Sequence, residues 1–207
     1  NISLDTLDQK VYTEITGFPM LDQVLQSLKA AMKMGMHVKT NTILQRGRNE
    51  SSWKDLLILA KDIPVDVRFL ELMPIGEGKE GETISNTTLF QKIKEIYPDI
   101  KPDERKHGNG PAIYYKIPGF EGSIGFISAI HGGFCDSCNR LRMTSTGELK
   151  PCLCYDETIS VRDVARCGDS EKIRENIKHA IQIKPKKHCF SEIEKVSEKK
   201  KMAQIGG

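Results

Sequence analysis

The stretch Val38-Lys39-Thr40-Asn41-Thr42-Ile43-Leu44 decides the fold class through what stands on either side of it. It is rich in β-branched residues and predicts a strand. Upstream, Leu21, Val24, Leu25, Leu28 and Met32 recur at helical spacing and Gly35 supplies a stop. Downstream, Ser52 with Asp55 three residues later predicts a capping box. Leu56, Leu57 and Ala60 then form the buried stripe of a helix, and Pro64 stops it before a strand over Val65 to Met73. Asn1 to Asp5 also reads as a buried strand. Strand starts near residues 2, 38 and 66 repeat at the period of βα units, which predicts parallel strands with helices outside. Three strands do not close a barrel. An open α/β sheet and a fragment of a (βα) barrel are equally compatible with this half, and in both the chemistry sits at the carboxyl ends of the strands.

After Pro74-Ile75-Gly76-Glu77-Gly78 the texture changes, and the boundary between an amino-terminal domain (1–78) and a carboxyl-terminal one (79–207) falls there. One helix carries Leu89, Phe90, Ile93 and Tyr97, and turn-punctuated β segments follow at 113–117 and 123–130. Residues 101–111 read as an exposed loop, 169–183 as a last charged helix, and the basic tail after Pro185 as mobile. With 207 residues, 38% hydrophobic and 29% charged, the chain is globular rather than disordered or fibrous. The net charge of +3 is too small to argue for nucleic acid. No membrane span or secretion signal is legible, so the cytosol is the expected setting. Six cysteines without secretory context favour metal or redox chemistry over disulfides.

The most informative stretch is Phe134-Cys135-Asp136-Ser137-Cys138-Asn139-Arg140-Leu141-Arg142, followed after a Thr146-Gly147-Glu148 turn by Lys150-Pro151-Cys152-Leu153-Cys154. A Cys-x2-Cys turn places two thiolates on one side of a tight loop, and a returning hairpin can bring a third alongside. Soft ligands of this kind select zinc or an iron–sulfur cluster, and spacing alone does not say which. A structural zinc held by Cys135, Cys138, Cys152 and Cys154 is one reading. The single residue between Cys152 and Cys154 fits a zinc knuckle poorly, because a strand would not converge both sulfurs without a turn. Three cysteines on a four-iron cluster would instead leave one iron open to a ligand. Arg140 and Arg142, alternating onto one face if extended, suit a phosphate or carboxylate.

At these residues the sequence resembles the molybdenum cofactor biosynthesis protein A family, the GTP 3′,8-cyclases of the radical S-adenosylmethionine superfamily. Asn1-Ile2-Ser3-Leu4-Asp5-Thr6-Leu7, Val38-Lys39-Thr40-Asn41, Val67-Arg68-Phe69-Leu70-Glu71-Leu72-Met73-Pro74 and Gly206-Gly207 fall in the family's order, so the resemblance spans the chain. It implies part of an incomplete (βα)6, TIM-like barrel followed by an α+β substrate-cluster domain. It further implies a [4Fe-4S] cluster on Cys135, Cys138 and Cys152 with an open iron for the guanine base. Lys39, Arg68, Arg140 and Arg142 are then GTP contacts, Ser3 and Met73 contact S-adenosyl-L-methionine, and Gly206 and Gly207 enter the active site. In this chemistry a 5′-deoxyadenosyl radical takes the ribose C3′ hydrogen of GTP and the sugar carbon attacks guanine C8. Cyclic pyranopterin monophosphate synthase takes the product, an electron donor is needed, and a homodimer is an expected assembly.

Cys154, Cys167 and Cys189 match no family ligand and read as free thiols; Asp136 and His131 are outer candidates around the cluster. Arg68 and Met73, five residues apart, face opposite sides of a regular strand, so a bulge or loop near Leu72 is required. The Cys-x3-Cys-x2-Cys motif of the family's radical-generating [4Fe-4S] cluster is absent from this sequence. The expectation is a carboxyl-terminal portion of a longer chain, inactive by itself. The rivals are a zinc-stabilised binding domain without catalysis and another radical enzyme with an auxiliary cluster.

Overall fold

Parallel strands need crossovers of a dozen or more residues, and the first part of the chain supplies two. In the computed structural model, which describes residues 1–79 and 81–205, β1 (Ile2–Ser3) is followed by α1 (Gln9–Thr16) and α2 (Leu21–Lys33) before β2 (Lys39–Ile43). Then α3 (Trp53–Asp62) leads to β3 (Asp66–Leu70). Further on come α4 (Asn86–Ile96), β4 (Lys101–Pro102), β5 (Ile113–Lys116) and β6 (Ile124–Ile127). These strands form one sheet in the order β1-β2-β3-β6-β5-β4, parallel from β1 to β6 and antiparallel beyond. The two β segments expected after residue 112 thus extend the same sheet, and β6 adds a fourth parallel strand.

Contacts divide the chain into two compact units, Asn1–Leu72 with Glu82–Gly132, and Met73–Gly81 with the chain from Gly133 onward. In the first unit, side-chain alternation sends Val67 and Phe69 of β3 and Ile124 and Phe126 of β6 into a core with Leu28, Leu56, Leu57, Leu89 and Ile93. Helix α1, which no sequence pattern announced, is set by its ends: the Asp8 carboxylate accepts from Val11 N at 2.8 Å, and Gly17 closes the helix with φ of 78°.

Ser52 departs from the expected capping box. Its backbone is already helical and its hydroxyl makes no cap; it donates instead to Thr6 Oγ1 at 2.9 Å, inside the fold. The 101–111 segment also differs from an exposed loop. It begins as β4, and the side chains of Asp103 and His107 are 5% and 6% exposed, because Arg105, Ser123 and Asp66 hold them.

The second unit is built on a small antiparallel sheet, β7 (Arg142–Met143), β8 (Glu148–Lys150) and β9 (Ile159–Ser160), covered by α5 (Arg162–Arg166) and α6 (Ser170–Gln182). Leu149, Val161 and Ala180 form an apolar cluster within it. The tail after Pro185 is packed rather than mobile: Cys189, Phe190, Val196, Glu198 and Ile205 are buried. Its anchor is charge. Lys150, 1% exposed, pairs with Glu198 and donates to the Tyr155 carbonyl, and burial of such a cation requires both partners. Burial opposes ionisation of Glu198, but Lys150 and the Lys200 N–H outweigh it and hold the carboxyl below its usual range.

Gly122 marks the tightest joint in the first unit. A Cβ there would lie 1.9 Å from the Val65 carbonyl oxygen, while Gly122 N donates to Ala60 O at 2.8 Å. Gly122→Ala is therefore expected to destabilise the chain by about 1–3 kcal/mol, the usual cost of overpacking. Urea unfolding checks this as a lowered midpoint at unchanged slope; an unchanged midpoint would show that the backbone there yields freely.

Candidate functional site

On the sheet, the pairing of β2 with β3 sets Lys39 against Asp66, Asn41 against Arg68 and Ile43 against Leu70. These residues share the face opposite the helix-covered core residues Val67 and Phe69, so two polar or charged pairs, Lys39–Asp66 and Asn41–Arg68, gather on one surface. Arg68 Nη2 donates to Asn1 Oδ1 at 2.8 Å, while Arg68 Nε and Asn41 Oδ1 are buried with no hydrogen-bond partner. Such atoms carry a desolvation cost until a ligand or water satisfies them.

Gly125 makes this arrangement possible. It pairs with Arg68 on one side and Tyr114 on the other, and a Cβ there would come within 2.9 Å of both side chains. Lys39 Nζ lies 5.5 Å from the centroid of the Tyr114 ring and donates to the His107 carbonyl. Burial and the Arg68 charge lower the pKa of Lys39, against the opposing effect of Asp66. A site so crowded with cations favours an anion.

In the second unit, Cys135 opens a 3-10 turn over Cys135–Ser137 that Cys138 closes by donating from its N–H to the Cys135 carbonyl at 3.1 Å. The β7–β8 hairpin, turned at Gly147 with φ of 80°, pairs Arg142 with Lys150 and returns the chain so that Cys152 lies at the end from which Cys138 enters. All three cysteines are partly exposed. Arg142 is half-buried; burial and Arg140 press its pKa down, and Cys138 and Cys152 press it up. Burial raises the Cys152 thiol pKa, against the N–H of Cys154 and the charge of Lys184.

The tail completes this unit in a way that spacing does not show. His188 N donates to Cys135 Sγ at 3.4 Å and Cys189 N donates to Cys154 Sγ at 3.1 Å, so two successive N–H groups serve two sulfurs. Cys154 and Cys189 face each other in the interior, Sγ to Sγ at 2.7 Å. Burial, then the contact with Cys189, pushes the Cys154 thiol up to about 12. Cys167 is exposed at the end of α5.

Among the other residues singled out in the sequence, Ser3 is exposed in β1 and pairs with Asn41. Met73 is half-buried beyond the end of β3; the strand stops at Leu70, which supplies the irregular stretch that the Arg68–Met73 spacing demands. Arg140 is exposed, and its carbonyl accepts from Lys184 Nζ at 2.9 Å. Asp136 is exposed within the 3-10 turn. Gly206 and Gly207 lie outside the described residues. His131 belongs with Glu71: the buried Glu71 carboxylate accepts from Asn86 N, Ile130 N, His131 N and the His131 ring, at 2.8 to 3.1 Å. Sequence reasoning missed Asn41 Oδ1, Tyr114, Gly125 and the 188–189 amides. Only Gly125, a glycine inside the apolar run Ile124–Ile127, carried a legible signal of close backbone or side-chain approach.

The model of the family Molybdenum Cofactor Synthesis C matches residues 65–190, and the chain belongs to that family. Over its whole length it is similar to proteins named GTP 3′,8-cyclase: 43% identical over 208 residues to that of Clostridium perfringens (strain 13 / Type A), 40% over 211 residues to that of Alkaliphilus metalliredigens, and 36% over 211 residues to that of Moorella thermoacetica. The chain spans 64% of the length of each of these relatives. No helix among the described residues is long and apolar enough to cross a membrane.

Glu71 makes the end of β3 sensitive to acid. Burial raises its pKa, but the three N–H donors and the His131 ring outweigh burial, so it lies below the ordinary 4.5. A depressed folded-state pKa contributes stability that is present above 4.5 and lost as pH falls through the folded value. Glu71→Gln is expected to cost about 1–3 kcal/mol at pH 7, with the gap from wild type narrowing below pH 4.5. Denaturant unfolding across that range measures it; a gap independent of pH would show that the carboxylate charge plays no part.

Proposed function

We propose that this chain is the carboxyl-terminal part of a GTP 3′,8-cyclase, carrying the substrate-side iron–sulfur cluster and part of the (βα)6 barrel. The observation that carries this reading is the donor set of the second unit. Cys135, Cys138 and Cys152 sit partly exposed on one turn and the end of one hairpin, while Cys154, the expected fourth donor of a closed zinc site, turns inward to Cys189. A tetrahedral zinc needs its thiolates roughly 3.8 Å apart, given Zn–S bonds of about 2.3 Å. Among the described residues, the grouping of three ligand atoms within 4.8 Å of one another lies elsewhere, at His37, Asp66 and His107. Three cysteines on a more open frame fit a [4Fe-4S] cluster, which when bound supplies an iron that can take a ligand from the substrate.

Cationic residues of each unit, taken by itself, are assigned to GTP on the strength of the family resemblance. In the second unit, Arg142, half-buried and flanked by Arg140, offers a guanidinium fork to phosphate oxygens. In the first, Lys39 and Arg68 supply fixed positive charge, and the unsatisfied Asn41 Oδ1 and Arg68 Nε supply an acceptor and a donor for a polar ligand. Ser3 and Met73 are assigned to S-adenosyl-L-methionine, whose cleavage requires a cluster motif that this sequence does not contain. Gly206 and Gly207 are assigned to the reacting end of the substrate, where a backbone without side chains can approach closely. On this reading an electron donor feeds the reaction, the product passes to cyclic pyranopterin monophosphate synthase, and the setting is the cytosol.

Anaerobic reconstitution tests the reading. The chain is expected to take up about four irons and four sulfides with broad brown absorbance, and Cys135→Ala, Cys138→Ala or Cys152→Ala to lose them, whereas Cys167→Ala keeps them. With the cluster in place, Arg142→Ala is expected to weaken GTP binding about 10–100-fold, the range for a lost charged hydrogen bond. One colourless zinc per chain, or uptake of iron that persists without Cys152, defeats the proposal.

A further inference from the structure

A second set of ligand atoms meets in the first unit, at the amino-terminal ends of β2 and β3. His37 stands two residues before β2, Asp66 is the first residue of β3, and His107 comes from the segment between β4 and β5. His37 Nε2 lies 3.0 Å and His107 Nδ1 2.7 Å from the same Asp66 oxygen, Oδ2. One ligand atom from each residue falls within 4.8 Å of the other two.

On its far side His107 faces a second carboxylate, although its buried Nε2 makes no hydrogen bond. Its Nε2 lies 3.1 Å from Asp103 Oδ2, and Asp103 is gripped by the Arg105 guanidinium at 2.7 and 3.0 Å and by Ser123 Oγ at 2.6 Å. The Arg105 bonds hold the Asp103 carboxyl well below its usual range, so it stays charged. A carboxylate within ion-pair reach of the second ring nitrogen favours a proton there once the first nitrogen takes an ion. Stacking on Tyr114, with ring centroids 3.9 Å apart, fixes the ring plane. Lys39, across the strand pair from Asp66, donates to the His107 carbonyl.

We propose that His37 Nε2, His107 Nδ1 and the Asp66 carboxylate bind a divalent transition ion of the zinc type. Two imidazoles and one carboxylate are a nitrogen-rich set that suits such an ion and not the oxygen-seeking magnesium or calcium. Ligands bonded at about 2.0–2.1 Å in a tetrahedron stand roughly 3.3 Å apart, against 3.0 and 2.7 Å from the two ring nitrogens to Asp66 Oδ2 and at most 4.8 Å between the rings' ligand atoms. The His37 side chain is 56% exposed, which gives the ion a way in and water a fourth position. Binding replaces protons shared between the rings and Asp66, and it fastens the segment whose His107 carbonyl holds Lys39. The inference stands on these residues alone and does not depend on the assignment of the cysteines.

Nitrogen-15 spectra of the histidine rings during titration of the full chain with Zn²⁺ test it, because they identify the site even where the thiolates also take up zinc. The expected result is a shift of His37 Nε2 and His107 Nδ1 that saturates together at about one equivalent for that site. In His37→Ala, exposed enough that the metal-free fold and melting point should be unchanged, the His107 response is expected to need at least ~10-fold more zinc. Rings that do not respond to Zn²⁺, or a His107 response as tight in His37→Ala as in wild type, overturn the proposal.

Discussion

Asp66 and Arg68 sit on the open face of a strand whose other face is closed by Val67 and Phe69, and most of the first unit follows from the need to give that open face partners. A parallel sheet of this kind normally buries both faces with apolar side chains. Here one face is covered by helices and the other carries Lys39, Asn41, Asp66 and Arg68 in register across two strands. Each partner is brought by a different piece of chain. The 103–107 segment supplies His107 for Asp66 and its carbonyl for Lys39, β5 supplies the Tyr114 ring, and β6 supplies the space of Gly125. The partners run short at Asn41 Oδ1 and Arg68 Nε, where a buried polar atom carries an uncompensated desolvation cost.

The second unit is organised around a buried ion pair, Lys150 with Glu198, beside the apolar cluster of Leu149, Val161 and Ala180. That pair joins the hairpin to the tail, and the same tail sends the His188 and Cys189 amides to Cys135 and Cys154. Backbone N–H donors stabilise thiolates, so the tail acts on the chemistry of the cysteines as well as on their positions.

Local order was legible in the sequence, and contacts between distant segments were not. The βα period placed the starts of β1, β2 and β3 within a residue or so, and the charge pattern placed α6, because helix and strand periodicity are properties of short stretches. The Thr146-Gly147-Glu148 turn gave the hairpin for the same reason. The pattern Asp103-x3-His107 was in the sequence, but the burial of His107 was not legible there, since Asp66, which holds its ring, comes from β3. The basic tail misled for a related reason: its charges are on the surface, while the residues that dock it, Cys189, Phe190, Val196 and Glu198, are interspersed and show no period. Ser52 shows the limit of a motif, because the capping signature was present but the hydroxyl found a partner in Thr6.

Cys152 and Cys154 show why spacing names candidates and environment selects among them. Both sit in the same short run, and on sequence alone either can complete a set with Cys135 and Cys138. Burial raises the pKa of both thiols, but they differ in what else surrounds them. Cys152 stays partly exposed, feels the positive charge of Lys184, and accepts the Cys154 N–H. Cys154 is fully buried against a second sulfur, and burial and that contact, only partly offset by the Cys189 N–H, push its thiol up to about 12. A metal or cluster takes thiolates, and between two neighbouring cysteines it takes the one whose proton is cheaper to remove and whose sulfur faces outward. Cys152 is thus the more available of the two thiols, and Cys154 and Cys189 form an interior pair that packs the tail against the hairpin.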